Sequence, residues 1–134
     1  MSDEGHAFEK PAHGSICWTE LATKDTDAAK KFYSELLGWE LKTSQTAGME
    51  YTEYSVGGRP YGGIYKMTAE FGDAPSHWMS YVAVDDVDAA AARATELGGN
   101  VCVPPTDIPN VGRFAVINDP TGATISLITL GSHA

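Results

Sequence analysis

Two side chains stand out as candidates for chemistry, Glu20 and His77. Glu20 lies in the extended stretch 16–23, where alternation puts Trp18, Glu20 and Ala22 on one face and Cys17, Thr19 and Leu21 on the other. A carboxylate on a half-buried face needs a partner, a raised pKa or contact with water, and the first two would make it a usable general base. His77 opens a strand beside a loop. Its imidazole could exchange a proton near neutral pH, or be no more than structural. Together the two offer a carboxylate oxygen and a ring nitrogen to a divalent metal. Cys17 and Cys102 sit in strand-like stretches with no adjacent basic residue to favour a thiolate. They read as two buried thiols of a reducing compartment rather than as nucleophiles or a disulfide framework.

The elements that must position these groups begin with Ser15 to Trp39. After the strand, Asp25 is suited to cap a helix, with Asp27 in its first turn. Ala28, Ala29, Phe32, Tyr33, Leu36 and Leu37 recur at helical spacing, so Phe32 and Tyr33 are expected to face a core. Gly38 ends the helix as a left-handed cap. The same pattern returns at a constant offset of 61 residues. Asp86, Asp88, Ala89, Ala90, Glu96, Leu97 and Gly99 repeat Asp25, Asp27, Ala28, Ala29, Glu35, Leu36 and Gly38, and Met79 takes the place of Trp18. An in-register repeat of helix start, body and stop points to a duplicated unit.

Taken in order, each copy reads strand, helix, strand, strand, strand. In the first copy further strands fall at 39–44, 49–56 and 59–67, with Gly57-Gly58 as a hairpin turn. Gly62 and Gly63 mark a bulge, an edge or a close backbone approach. In the second copy strands are expected at 77–84, 100–103, 112–118 and 123–130. Pro104-Pro105 closes the second of these, 106–111 is a loop, and Asp119-Pro120-Thr121-Gly122 is a tight turn. The domain plan is a mobile lead-in at 1–14, a first βαβββ module at 15–67, a linker at 68–76 and a second βαβββ module at 77–131. Neither copy alone is large enough to bury a stable core. The expected fold is therefore α+β, two βαβββ modules forming a cupped mixed sheet with helices outside. Leu21, Val82, Val84, Ile125 and Leu127 should face the helices. Trp18, Glu20, Met79, Tyr81, Thr124, Ser126 and His77 should line the opposite, concave side.

Composition sets limits. The chain has 134 residues, 43% of them hydrophobic and 20% charged, as in an ordinary globular domain. A net charge of −9 with scattered Lys and Arg argues against nucleic acid as a partner. No apolar run reaches the roughly 20 residues of a membrane span. The polar N-terminus lacks a signal-peptide core, so a cytoplasmic location is expected.

Strand, D-x-D-A-A-x-x-F-Y-x-x-L-L-G-W, a second strand and helix ending in L-G-G, and D-P-x-G before a final apolar strand together resemble the vicinal oxygen chelate superfamily, across residues 15–130. This superfamily includes glyoxalase I, extradiol dioxygenases and bleomycin-binding proteins. The resemblance implies paired βαβββ modules, a homodimer, and a metal site made by His, Glu or Gln on four strand positions. Here those positions fall on Trp18, Met79 and Ser126, with Tyr65 near the fourth. An indole, a thioether and a hydroxyl are poor ligands for a divalent cation, so no metal cofactor is expected.

Aromatic and apolar groups take the metal's place: Trp18, Met79, Tyr81, Ser126 and Tyr65 as ligand contacts, with Tyr51, Tyr54 and Tyr61 in neighbouring strands. Trp18 and Met79 serve equally as core residues. The expected function is metal-independent binding of a small hydrophobic or aromatic molecule. The alternative is a lyase, isomerase or dioxygenase-like enzyme working through Glu20, His77 or both, with or without a divalent metal. A module acting only through a partner subunit is the third possibility.

Overall fold

A computed structural model of the chain describes residues 11–46 and 48–131; most of the expected lead-in therefore lies outside the described residues. The elements run β1 (Ile16–Thr23), α1 (Thr26–Leu37), β2 (Glu40–Thr46), β3 (Met49–Val56), β4 (Arg59–Lys66), β5 (His77–Ala83), α2 (Val87–Glu96), β6 (Asn100–Ile108), β7 (Gly112–Asn118) and β8 (Thr124–Leu130). This is the α+β fold of two βαβββ modules, with a single 3-10 turn, Ala69–Phe71, in the linker. The described chain divides into two compact units, residues 18–79 and residues 11–17 with 80–131.

In the first unit β1 pairs in parallel with β4, and β4, β3 and β2 follow as antiparallel neighbours. The hairpin between β3 and β4 turns on Gly57 and Gly58, both at positive φ (58° and 81°), where glycine alone is at ease. Asp25 caps α1 by accepting from the Ala28 amide at 3.0 Å, and Gly38 closes it in the left-handed conformation with φ 73°. Leu21, Tyr54 and Ile64 form the core beneath α1, joined by Ala29, Tyr33, Trp39 and Leu41.

In the second unit β5 pairs in parallel with β8, followed by β7 and β6. Asp86 caps α2 through the Ala89 amide at 3.1 Å. Val87, Ala91, Ala115 and Leu127 make its core, with Val82 and Val84 packed against them. Leu21, Val82, Val84 and Leu127 thus face the helices, and the period of two turns Trp18, Glu20, Tyr81 and Ser126 to the other side.

Three expectations need correction. Strand β6 does not stop at Pro104-Pro105 but continues to Ile108, so the first half of the expected 106–111 loop is strand and only 109–111 turn. The prolines fall where the β6–β7 register shifts, between Val103 and Thr106, and a bulge asks no ladder bond of their nitrogens. Phe32 is not core: it is 57% exposed, because α1 presents Ala29 and Tyr33 to the sheet and Phe32 lies further round, edge-on to the Tyr33 ring at 5.0 Å. Cys102, expected to be buried, is exposed on β6, while Cys17 is half-buried; both are free thiols.

Candidate functional site

Adjacent glycines in β4 shape the first module on both sides. In register, Thr19 and Tyr54 flank Gly62, and Glu20 and Glu53 flank Gly63. On the helix side Tyr54 crosses Gly62 and its hydroxyl donates to the Thr19 carbonyl at 3.1 Å. On the other side Tyr51 crosses Gly63, and any side chain at residue 63 would meet its phenol. Of the expected bulge, edge or close backbone approach, Gly62 shows the last, since the Thr19 carbonyl oxygen fills the space a side chain would need, and tyrosine rings cross both glycines, one on each face.

Tyr51 delivers its hydroxyl to the middle of a hydrogen-bonded chain. Trp18 Nε1 donates to the Tyr51 hydroxyl at 2.8 Å, and that hydroxyl donates to Glu20 Oε2 at 2.7 Å. Each bond polarises the next, so the indole makes Tyr51 a stronger donor to the carboxylate. Tyr65 lies near-parallel to Tyr51, with ring centroids 6.5 Å apart and an interplanar angle of 20°. Burial, and then the negative charge of Glu20, push the Tyr65 phenol up to about 12, so it stays a neutral hydroxyl at physiological pH. Phe71 and His77 extend the aromatic row, at 6.1 Å from Tyr65 to Phe71 and 6.3 Å from Phe71 to His77.

Trp18, Glu20 and Tyr65 therefore converge with Tyr51, which the sequence marks only as one of several strand tyrosines. Its link to Glu20 depends on strand pairing, and the only local signal was the Gly62-Gly63 pair. His77 stands at the end of the row with Nδ1 2.8 Å from the Pro75 carbonyl. A carbonyl only accepts, so the bond places a proton on Nδ1. Met79 is half-buried on β5 in the same unit. Tyr81 and Ser126 belong to the second unit, where they are register neighbours across β5 and β8. Ser126 is fully buried, and its Oγ has no hydrogen-bond partner among the described residues. Burial raises the pKa of the Cys17 thiol, which suits an inert cysteine.

As metal ligands these groups are unsuited. The Trp18 nitrogen is spent as a donor to Tyr51, the Met79 sulfur is soft, and the Ser126 hydroxyl is neutral and enclosed. Among the described residues no three His, Cys, Asp or Glu side chains gather around a common point.

Comparison with known proteins gives a consistent picture. The family model described as glyoxalase/bleomycin resistance protein/dioxygenase superfamily matches residues 15–127. The putative glyoxylase CFP32 of Mycobacterium tuberculosis is 41% identical over 116 residues, 86% of this chain and 44% of that protein. The anthracycline biosynthesis protein DnrV of Streptomyces peucetius is 37% identical over 117 residues, 87% of this chain and 42% of that protein. The chain thus spans a little under half the length of these relatives. Among solved structures, a methylmalonyl-CoA epimerase from Streptomyces coelicolor superposes with a TM-score of 0.64 at 21% identity, covering 90% of this chain and 97% of the other.

Proposed function

Because the chain belongs to the glyoxalase/bleomycin resistance protein/dioxygenase superfamily, we propose that it binds a small, flat, largely apolar organic molecule on the open face of its first module, without a metal. The Trp18–Tyr51–Glu20 chain carries this reading. It sets one ionisable acceptor among aromatic rings, the usual make-up of a pocket in which apolar walls give affinity and a few polar atoms give orientation. Tyr65 and Met79 supply wall, and His77 a second polar end. Tyr81 and Ser126, the second module's register counterparts of Glu20 and Gly63, are proposed as that module's own ligand contacts.

The test is calorimetric titration with a panel of planar polycycles, led by hydroxylated anthraquinones because one relative is named for anthracycline biosynthesis. Binding that weakens about tenfold or more in Tyr51→Phe and Glu20→Gln supports the reading. No binding by any planar compound, or binding indifferent to both variants, overturns it.

The 2.7 Å bond from Tyr51 to Glu20 favours a second reading, in which Glu20 removes a proton from carbon beside a carbonyl and Tyr51 tunes its basicity. Deuterium washed from solvent into a bound carbonyl compound, and lost in Glu20→Gln, marks this chemistry; a ligand recovered without label excludes it. We further propose a homodimer. The matched stretch is 44% of one relative's length, and α1 leaves Phe32, Leu36 and Leu37 more than half exposed. Light scattering that gives a monomer at micromolar concentration rejects the dimer. The two free cysteines fit a cytoplasmic setting, which belongs to the same proposal. Among the described residues no helix is long and apolar enough to cross a membrane.

A further inference from the structure

The duplicated modules differ most under their helices. In the first module three rings are stacked there. Tyr33 lies on Trp39 at 5.1 Å and 18°, and Trp39 lies on Tyr54 at 3.9 Å and 8°. The second-module counterparts follow from helix starts and strand register. Asp25 and Asp86 both cap, so Tyr33 answers to Ala94. Trp39 precedes β2 as Gly99 precedes β6, and Leu41 pairs with Tyr54 as Val101 pairs with Ile117, so strand register corrects the expected match of Gly99 with Gly38 by one residue and sets Gly99 against Trp39. Leu21 pairs with Ile64 as Val82 pairs with Leu127, and two residues earlier Gly62 faces Tyr54 as Ile125 faces Ile117. Three stacked rings are therefore replaced by a methyl group, a hydrogen and a branched aliphatic chain.

Ala94, Gly99 and Ile117 all line an open groove of about 580 Å³ between α2 and its sheet. This volume is within the range of small-molecule sites. Ala90, Leu97 and Leu127 complete its apolar wall. The rim is acidic, with Asp85, Asp86 and Asp119. Of the basic groups there, Arg93 is paired with Glu96 at 3.0 Å, and His13 accepts from the Asp85 amide at 3.0 Å.

We propose that this groove is a second ligand site, distinct from the Trp18–Glu20 face, and that it takes a planar aromatic cation. The rings lie where the sister module stacks Tyr33, Trp39 and Tyr54, and the positive group meets the carboxylates of the rim. Shape selects a flat guest and charge selects its sign.

The probe is proflavine, a planar cationic dye, with anthracene-2-sulfonate as a flat anion and spermidine as a cation without rings. Methyl NMR of the full chain reads the site. Proflavine should move the Ala90 and Ala94 methyl signals through its ring currents, with saturation in the micromolar range, and neither control should do so. Ala94→Tyr, which supplies the missing ring, should weaken proflavine binding at least tenfold without changing binding by the Trp18 face. Asp85→Asn combined with Asp86→Asn keeps the helix cap and should weaken it several-fold, so the test survives if Ala94→Tyr fails to fold. Unmoved alanine methyls, equal response to the flat anion, or unchanged affinity in the double variant overturns the proposal.

Discussion

Tyr51 lies across Gly63, its phenol occupying the space that a side chain at residue 63 would need. Residue 63 also stands between Glu20 and Glu53 in the strand ladder, so this one missing side chain lets a ring from β3 reach a carboxylate on β1.

Gly63→Ala should therefore destabilise the protein by roughly 1–3 kcal/mol, the usual cost of forcing a group into filled space. Urea unfolding measures it. In a Tyr51→Ala background the same substitution should cost much less, since the ring it meets is gone, and equal costs in both backgrounds would break the link.

Glu20→Gln should lower the Tyr65 pKa from about 12, because it removes the negative charge that adds to the effect of burial. The phenolate absorbance of the protein, less that of Tyr65→Phe, reports it. The pKa is raised on folding, so the contribution is complete below the ordinary tyrosine value of about 10 and is lost as pH climbs through about 12. Alkaline unfolding should accordingly be milder for Tyr65→Phe.

Asp25→Ala and Asp86→Ala should each cost about 1 kcal/mol, the typical value of an N-cap, while the Asn variants should stay near wild type. Thermal melts check both pairs. A loss at Asp25 without one at Asp86 would contradict the equivalence of the two helix starts.

The Asp119 carboxylate accepts from the Thr121 hydroxyl at 2.6 Å and from the Thr121 and Ala123 amides, and these bonds hold its pKa below the ordinary value. A depressed pKa stabilises above the unfolded value of about 3.9, and that support disappears as pH falls through the folded one. Asp119→Asn should flatten the acid limb of the stability profile, followed by circular dichroism from neutral to acid pH.

What could be read from the sequence was whatever is decided within a few residues. Asp25, Gly38, Asp86 and the Gly57-Gly58 turn satisfy local backbone needs, and each sits where its type predicted. The exposure of Phe32 and the end of β6 differ from the local pattern because exposure and bulges are settled by neighbours distant in sequence. At the site, alternation put Trp18 and Glu20 on one face but gave no view of Tyr51, which joins them from 31 residues beyond Glu20. The α2 groove lay half-hidden in the repeat itself: placing Ala94 against Tyr33 shows a ring missing, but only strand register adds the losses at Gly99 and Ile117.

Pro104 and Pro105 lie in β6, which is bonded to β7 on one side. Proline has no amide hydrogen to offer an incoming chain, and the kink there spoils the straight template that fibril growth requires. Lateral recruitment of misfolded copies is thus discouraged along that margin, and engineering that straightens β6 by replacing both prolines would invite amyloid.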